Sequence, residues 1–211
     1  MVKRIKKVTK SKATRERKKI IIVGTEGDNQ TEIQYLRSLE KQQKQYHFIF
    51  APGRDTDPIG ILRNTIRKAD DEEISPRTGD LAVSIFDLDL DRTKIPQLSD
   101  AKRLAEKKGI SIITSNPCFE IWYLEHFGYT SRSFNSSAEL LQVLKKYIPD
   151  YQKSYCDITV LYPLTDEAIS NCKRLDEHHK KNGTKTVFEF SNPRTDMYIL
   201  VEQILQERKK S

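Results

Sequence analysis

Four short apolar runs, separated by segments with helical periodicity, constrain the fold of this chain most strongly. The runs read IIIV, YHFIFAP, LAVSIF and ISIITSN, and they are rich in the β-branched and aromatic residues typical of buried strands. A predicted helix follows each of the first three runs, so the order up to residue 116 is β-α-β-α-β-α-β. This order requires right-handed crossovers and predicts an α/β fold, a parallel sheet with helices on both faces.

Local signals predict where these three helices begin and end. Asn29 is expected to cap the first helix, with Glu32 three residues later in a capping-box pattern. Asp57 is expected to cap the second helix, which has a proline at its first position. Ser99 is expected to cap the third helix, and Gly109 to end it.

After residue 116 the pattern becomes mostly helical, without a second set of strong strands. The tripeptide Ser-Asn-Pro occurs at 115–117 and again at 191–193. We interpret both copies as helix starts, with Asn116 and Asn192 as caps. The sequence thus predicts one domain over residues 20–211, whose part from 116 to 211 is helical.

The excess positive charge lies in an N-terminal tail. Residues 1–19 contain ten Lys and Arg and one acid, a net charge of +9, whereas the remainder has 27 bases and 29 acids, a net charge of −2. We expect residues 1–19 to be disordered. Two interpretations stay open: the tail contacts nucleic-acid phosphates, or it is a solvated terminus.

Composition excludes several classes of protein. No run approaches the roughly 20 apolar residues of a membrane span. The three cysteines are few and widely spaced, which argues against a disulfide framework or a zinc site and favours a reducing compartment. A cytoplasmic protein without a membrane segment is expected. No glycine-rich phosphate loop of the Walker type is present, so the chain is not expected to hydrolyse ATP alone.

Acidic residues follow two of the predicted strands. Asp87, Asp89 and Asp91 alternate in FDLDLD after the third strand, and Glu26 follows the first strand in GTEGDNQTE. Residues two apart in a strand share a face and lie roughly 6.6 Å apart, so Asp87 and Asp89 are expected to point the same way. If the first and third strands are neighbours, Glu26 joins them at the carboxyl edge of the sheet, where α/β proteins bind ligands. Carboxylates without His or Cys favour Mg²⁺ or Mn²⁺. The alternative is a solvated turn that binds no ion.

The motifs resemble those of known proteins. A glutamate that ends one strand, followed by Asp-x-Asp at the end of a later strand, resembles the Toprim domain of topoisomerases, primases and nucleases of the overcoming-lysogenization-defect type. More closely, EGDNQTEIQYL, FDLDLD, SNPCFEIWYLEHF and NPRTDMYILVEQI, in this order, resemble the RloB family, also known as the AbiLii-like abortive infection proteins. The resemblance covers roughly residues 20–205. Thr25 departs from it, because a cysteine is common at this position.

The resemblance implies a Toprim-like core with Glu26, Asp87 and Asp89 as its catalytic and metal-binding acids. It also implies dependence on Mg²⁺ and a role in bacterial defence against phage. The chain would be the toxic nuclease effector, and an ATPase of the ABC or AAA type encoded nearby would sense infection. Its substrate would be RNA, including tRNA, or DNA, and the oligomeric state stays open.

Further residues are candidates for the site. Glu120 and Asp91 are candidate metal ligands, although Glu120 at a helix start also complements the helix dipole. The candidates for substrate binding are Gly27, Glu32, Asn116, Asn192, Arg194 and Thr195.

Two other functions stay open. The first is a non-catalytic module that docks on an ATPase. The second is a phosphatase of the haloacid-dehalogenase type that uses DLDRT, residues 89–93.

Overall fold

Five strands form one sheet in the computed structural model, which describes residues 17–27, 30–51, 53–153, 159–183 and 191–210. The strands are β1 (Lys19–Gly24), β2 (Tyr46–Phe50), β3 (Leu81–Asp87), β4 (Ser111–Asn116) and β5 (Arg194–Thr195). Their order in the sheet is β2-β1-β3-β4-β5. The pairs among β1 to β4 are parallel, and β5 runs antiparallel to β4. The predicted α/β fold with a mostly parallel sheet is confirmed, and β5 is an addition that the apolar pattern did not indicate.

Seven α-helices are described: α1 (Gln30–Gln42), α2 (Pro58–Asp71), α3 (Lys94–Lys108), α4 (Glu120–Glu125), α5 (Ser137–Leu144), α6 (Thr165–Lys181) and α7 (Met197–Lys210). Successive side chains of β1 point to opposite faces of the sheet, and their contacts show which helices cover each face. Ile22 packs with Leu62 of α2 and with α3, whereas Ile21 packs in a larger cluster with α1 and with Trp122 of α4. None of these described helices combines the length and apolar character that crossing a membrane requires.

Two of the predicted helix boundaries are confirmed and one is wrong. Asp57 caps α2, because its Oδ1 accepts a hydrogen bond from the Gly60 amide at 2.8 Å. Gly109 ends α3 with a φ of 66°. Ser99 is not a cap: α3 begins at Lys94, and the Ser99 hydroxyl donates to the Ile95 carbonyl one turn earlier. Asn29 lies outside the described residues.

Neither Ser-Asn-Pro segment begins a helix. Both Asn-Pro peptide bonds are cis, and α4 and α7 begin only at Glu120 and Met197. The Asn116 side chain accepts a hydrogen bond from the Leu90 amide at 3.1 Å and donates one to the Ser191 carbonyl at 2.8 Å. The interpretation of the two asparagines as caps is therefore wrong, because their amides bind segments that are distant in sequence.

The folded part of the chain begins earlier than residue 20. Lys19, predicted to be in the tail, is the first residue of β1, and Arg17 pairs with Asp80 at 3.2 Å. Residues 1–16, with most of the tail, lie outside the described part. The largest core cluster contains Ile21 from the first half of the chain and Ile204 from the last helix, so the two halves share one core.

We expect Gly24→Ala to lower the free energy of unfolding by about 1–3 kcal/mol, the cost typical of overpacking. A Cβ at Gly24 would lie 2.0 Å from Oγ1 of Thr65, which contacts Oγ of Ser84 at 2.8 Å. Urea denaturation of Gly24→Ala, Thr65→Ala and the double variant checks this. If the clash is real, the double variant loses less free energy of unfolding than the two single variants lose together. Strictly additive losses would contradict the clash.

Candidate active site

Asp87 ends β3 on the face of the sheet that carries α1 and α4. Ile85 and Val83, two and four residues earlier, pack in the same cluster as Trp122 of α4, and side chains two apart share a face. β1 lies directly beside β3, with Gly24 opposite Ser84. The expected neighbourhood of the first and third strands is therefore present, and the loop that follows β1 leaves the sheet at the edge where β3 ends.

Two helices bring further acids towards Asp87. Glu32 lies in the first turn of α1, and Glu120 is the first residue of α4. The side chains of Glu32, Glu120 and Asp87 are all buried, with exposures of 1%, 2% and 7%. The Tyr151 hydroxyl donates a hydrogen bond to Oε1 of Glu120 at 2.6 Å, which fixes this carboxyl group. We call Asp87, Glu32 and Glu120 the inner acids.

Burial and the charges of neighbouring acids raise the pKa values of Asp87 and Glu32. Burial raises the pKa of Asp87 well above its usual range, and the negative charges of Glu32, Glu120 and Glu26 raise it further. Burial is also the main reason why the pKa of Glu32 rises to about 8, with Glu120 and Glu26 adding to the effect. In the described part of the chain, Oδ1 of Asp87 has no hydrogen-bond partner. An unpaired buried carboxylate is costly, so this group requires either a proton or a cation.

Two further acids, Glu26 and Asp89, lie nearer to the surface at the same edge of the sheet. β3 ends at Asp87, and Asp89 has a left-handed φ of 51°, so the expectation that Asp87 and Asp89 point the same way along one strand is wrong. The Asp89 side chain is 49% exposed, and its Oδ2 lies 2.6 Å from Nζ of Lys94. The same Nζ lies 3.5 Å from Oε1 of Glu26. We call Glu26 and Asp89 the rim acids.

Glu26 is electrostatically coupled to both sets. Burial raises its pKa; Lys94 opposes this rise, and the charge of Asp89 adds to it. Glu26 in turn raises the pKa of Asp87 and of Glu32. Among the described residues, however, no three His, Cys, Asp or Glu side chains are arranged closely enough to ligate one metal ion. The five acids thus meet at one edge of the sheet without forming a closed coordination shell.

Asp91 and Gly27 have local roles in the surrounding loops. The exposed carboxylate of Asp91 accepts hydrogen bonds from the Thr93 amide and hydroxyl, and these lower its pKa. This turn leads into α3, and metal binding by Asp91 stays a prediction. Gly27 adopts a φ of 43°, a conformation that favours glycine, and its amide donates to the Asp55 carbonyl at 3.0 Å. Gly27 thus joins the loop after β1 to the loop that precedes α2.

Asn116 holds the loop that carries Asp89, because it binds the amide of Leu90, the next residue. Thr195 Oγ1 lies 2.9 Å from Ser115 Oγ and accepts a hydrogen bond from the Met197 amide at the start of α7. Substrate binding by these two residues stays a prediction.

Asn192 and Arg194 are held in structural contacts. The side chain of Asn192 pairs with the backbone amide and carbonyl of Phe134. The buried guanidinium of Arg194 lies 2.9 Å from Asp196 and 3.6 Å from Asp176. These contacts account for both side chains, and contact with a substrate phosphate stays a prediction.

Sequence reasoning missed Lys94 and Tyr151 as parts of this region. Ser99 resembles a helix cap, and a helix that started there would leave Lys94 outside it. Pro96 gave the better signal, since proline is tolerated in the first turn of a helix and indicates a start near Lys94. Nothing in the local sequence indicates that Tyr151 reaches Glu120, 31 positions away.

A comparison with known protein families identifies the same family as the sequence motifs. The family model described as RloB-like protein matches residues 21–204, which include all five acids and both Ser-Asn-Pro segments. The resemblance to this family is thereby confirmed. No curated protein matches the chain. No solved structure matches it.

Proposed function

Because the chain belongs to the RloB family, we propose that it is a metal-dependent nuclease effector of bacterial defence against phage. Family membership by itself is consistent with a role in defence. The observation that supports the nuclease is the convergence of five acids from four segments at the carboxyl edge of the sheet. These acids are Glu26, Glu32, Asp87, Asp89 and Glu120.

The chemistry of the acids fits Mg²⁺ or Mn²⁺. All five offer carboxylate oxygens, the ligands that hard divalent cations prefer, and no His or Cys is among them. Buried carboxylates that repel one another, including one oxygen of Asp87 without a hydrogen bond in the described structure, are stabilised when a cation replaces their protons. A bound metal would activate water and stabilise the negative charge that develops on a phosphodiester.

Acids of both sets would hold the cation. Asp87 of the inner acids and Asp89 of the rim acids would be its ligands, and Glu26 would be a further ligand or the general base. Glu26 is half-buried at the rim, and its raised pKa brings it nearer to that of a general base or acid at neutral pH. Asn116 would fix the Asp89 loop through the Leu90 amide. Tyr151 would orient Glu120, and both are positioning residues in this proposal.

Nucleic acid is the substrate class that the surroundings favour. The loop of residues 53–57 lies against the loop after β1 through the bond between Gly27 and Asp55, and it carries the exposed Arg54. Lys153 is close enough to lower the pKa of Glu32. Positive side chains beside an acidic centre attract the phosphate backbone. RNA, including tRNA, and DNA both fit this description.

An ATPase of the ABC or AAA type is the partner that we propose. The family resemblance supports this assignment, and the sequence lacks a Walker phosphate loop of its own. Co-expression with the neighbouring ATPase, followed by affinity purification, tests it directly: the ATPase should co-purify, and its absence from the eluate at low salt would contradict the pairing.

The nuclease is tested by incubating the protein, alone and with its neighbouring ATPase, with labelled tRNA, mRNA and plasmid in Mg²⁺, Mn²⁺ or EDTA. We expect cleavage of one substrate class in the presence of metal and none in EDTA. Asp100→Asn, an exposed change on α3, serves as a matched control and should cleave normally. Equal cleavage in EDTA, or cell toxicity that survives Glu26→Ala combined with Asp87→Ala, would contradict the proposal.

A further inference from the structure

The ammonium of Lys94 lies among three oxygen atoms at the rim. Its Nζ donates hydrogen bonds to Oδ2 of Asp89 at 2.6 Å and to the Asp87 carbonyl at 2.8 Å, and it lies 3.5 Å from Oε1 of Glu26. Two carboxylates and a backbone carbonyl are the kind of oxygen set that surrounds a hard metal ion. The Lys94 side chain is only 18% exposed, so the ammonium is enclosed by these oxygens rather than extended into water.

The helix that carries Lys94 does not account for this position. Lys94 is the first residue of α3, and the N-terminus of a helix disfavours a cation because the backbone amides there carry partial positive charge. The first turn of α3 contains no acid that would compensate. The contacts with Asp89, Asp87 and Glu26 are therefore what holds the ammonium in place.

We propose that Lys94 competes with the divalent cation for Glu26 and Asp89, so that it sets the metal concentration at which the site loads. This inference rests on the proposed metal-dependent function. A magnesium ion binds carboxylate oxygen at about 2.0–2.1 Å, and the same oxygen of Asp89 cannot also keep an ammonium at hydrogen-bond distance without strong repulsion between the two cations. Loading of the rim by metal then requires that the Lys94 side chain swing away.

The displaced ammonium remains within one side-chain length of the rim. It is then available to a phosphate at the same edge, as lysine commonly is in phosphate sites. Lys94 would thus have one partner in the metal-free protein and another in the loaded protein. For this reason metal binding and nuclease activity must be measured separately.

The first experiment measures binding of Mn²⁺ alone, by titration calorimetry and by the EPR signal of free Mn²⁺, to wild type, Lys94→Met and Lys107→Met. Lys107 lies exposed on the same helix and serves as the matched control. We expect Lys94→Met to bind Mn²⁺ at least about tenfold more tightly than wild type, the equivalent of one lost charge-assisted hydrogen bond. Lys107→Met should bind like wild type.

The second experiment measures amine reactivity without substrate. Lys94 in the wild-type protein should react slowly with an amine-specific reagent in EDTA and faster in saturating Mn²⁺, relative to Lys107 in the same digest. Faster reaction reports displacement of the ammonium, whether or not the protein cleaves anything.

The outcomes separate this inference from the proposed nuclease. Equal or weaker Mn²⁺ binding by Lys94→Met, with measurable binding by wild type, overturns the competition and leaves the nuclease in place. Tighter binding by Lys94→Met in a protein that cleaves no nucleic acid supports the competition and overturns the nuclease. Absence of Mn²⁺ binding in both proteins overturns both.

Discussion

Asp87→Asn is expected to lower metal-dependent cleavage by at least about 100-fold, because a metal ligand contributes several kcal/mol to transition-state stabilisation and each 1.4 kcal/mol corresponds to about tenfold in rate. Asp87 is the acid on which the charges of four neighbouring carboxylates act, and it lies at the end of the central strand. Asparagine keeps the shape of the side chain but removes the charge that would hold the cation. Single-turnover cleavage of the preferred substrate measures the loss.

The same substitution is not expected to unfold the protein. In EDTA the Asp87→Asn variant should melt at the same temperature as wild type or higher, because the neutral amide avoids the cost of a buried acid among like charges. Mg²⁺ should raise the melting temperature of wild type more than that of the variant. Asp100→Asn controls for the loss of one carboxylate from the surface. Full cleavage by a folded Asp87→Asn protein would remove Asp87 from the site.

The metal-free protein is expected to lose stability as the pH rises from about 5 to about 9, with a fall in melting temperature of about 5 °C or more. The pKa of Glu32 is about 8 in the folded protein, compared with 4.5 for an unperturbed glutamate. The folded state therefore binds more protons than the unfolded state between these two values, and deprotonation favours unfolding. The stabilisation that protonated Glu32 provides is fully present below pH 4.5 and is lost as the pH rises through about 8. Thermal unfolding in EDTA across this range measures the effect.

A second buried acid, Glu125, serves as a comparison that shows how much of this loss of stability arises from Glu32. Burial also raises the pKa of Glu125 to about 8, although the Thr130 backbone amide partly opposes the rise. Glu125→Gln should flatten the profile equally with and without Mg²⁺. Glu32→Gln should flatten it in EDTA and have less effect in Mg²⁺, since the cation already replaces the proton there. A level profile in EDTA for the wild-type protein would contradict the burial of these acids.

The sheet was predictable because its signals are local. A β-branched run reports a buried strand, and right-handed crossovers limit how consecutive parallel strands are arranged. These rules leave the order of the strands open, so the neighbourhood of β1 and β3, which brings Glu26 near the aspartates, is known only from the structure. The two-residue strand β5 does not follow from them either, since its pairing with β4 depends on residues about 80 positions apart.

The errors share one physical cause, which is that short polar residues give the same local signal for different partners. Asn116 before proline resembles a helix cap, yet its side chain binds Leu90, 26 positions earlier. The turn at Asp89 depends on a left-handed backbone that an Asp-x-Asp pattern does not reveal. Tertiary contacts decided each case.

The bond between Asn116 and the carbonyl of Ser191 has a consequence for the timing of assembly. Asn116 holds the Asp89 loop from one side and a segment close to the C-terminus from the other. β5 and α7 are translated after every acid of the cluster, so a nascent chain still on the ribosome lacks this support. The edge that carries the acids is therefore completed only after the segment at Ser191 has been synthesised and has bound Asn116.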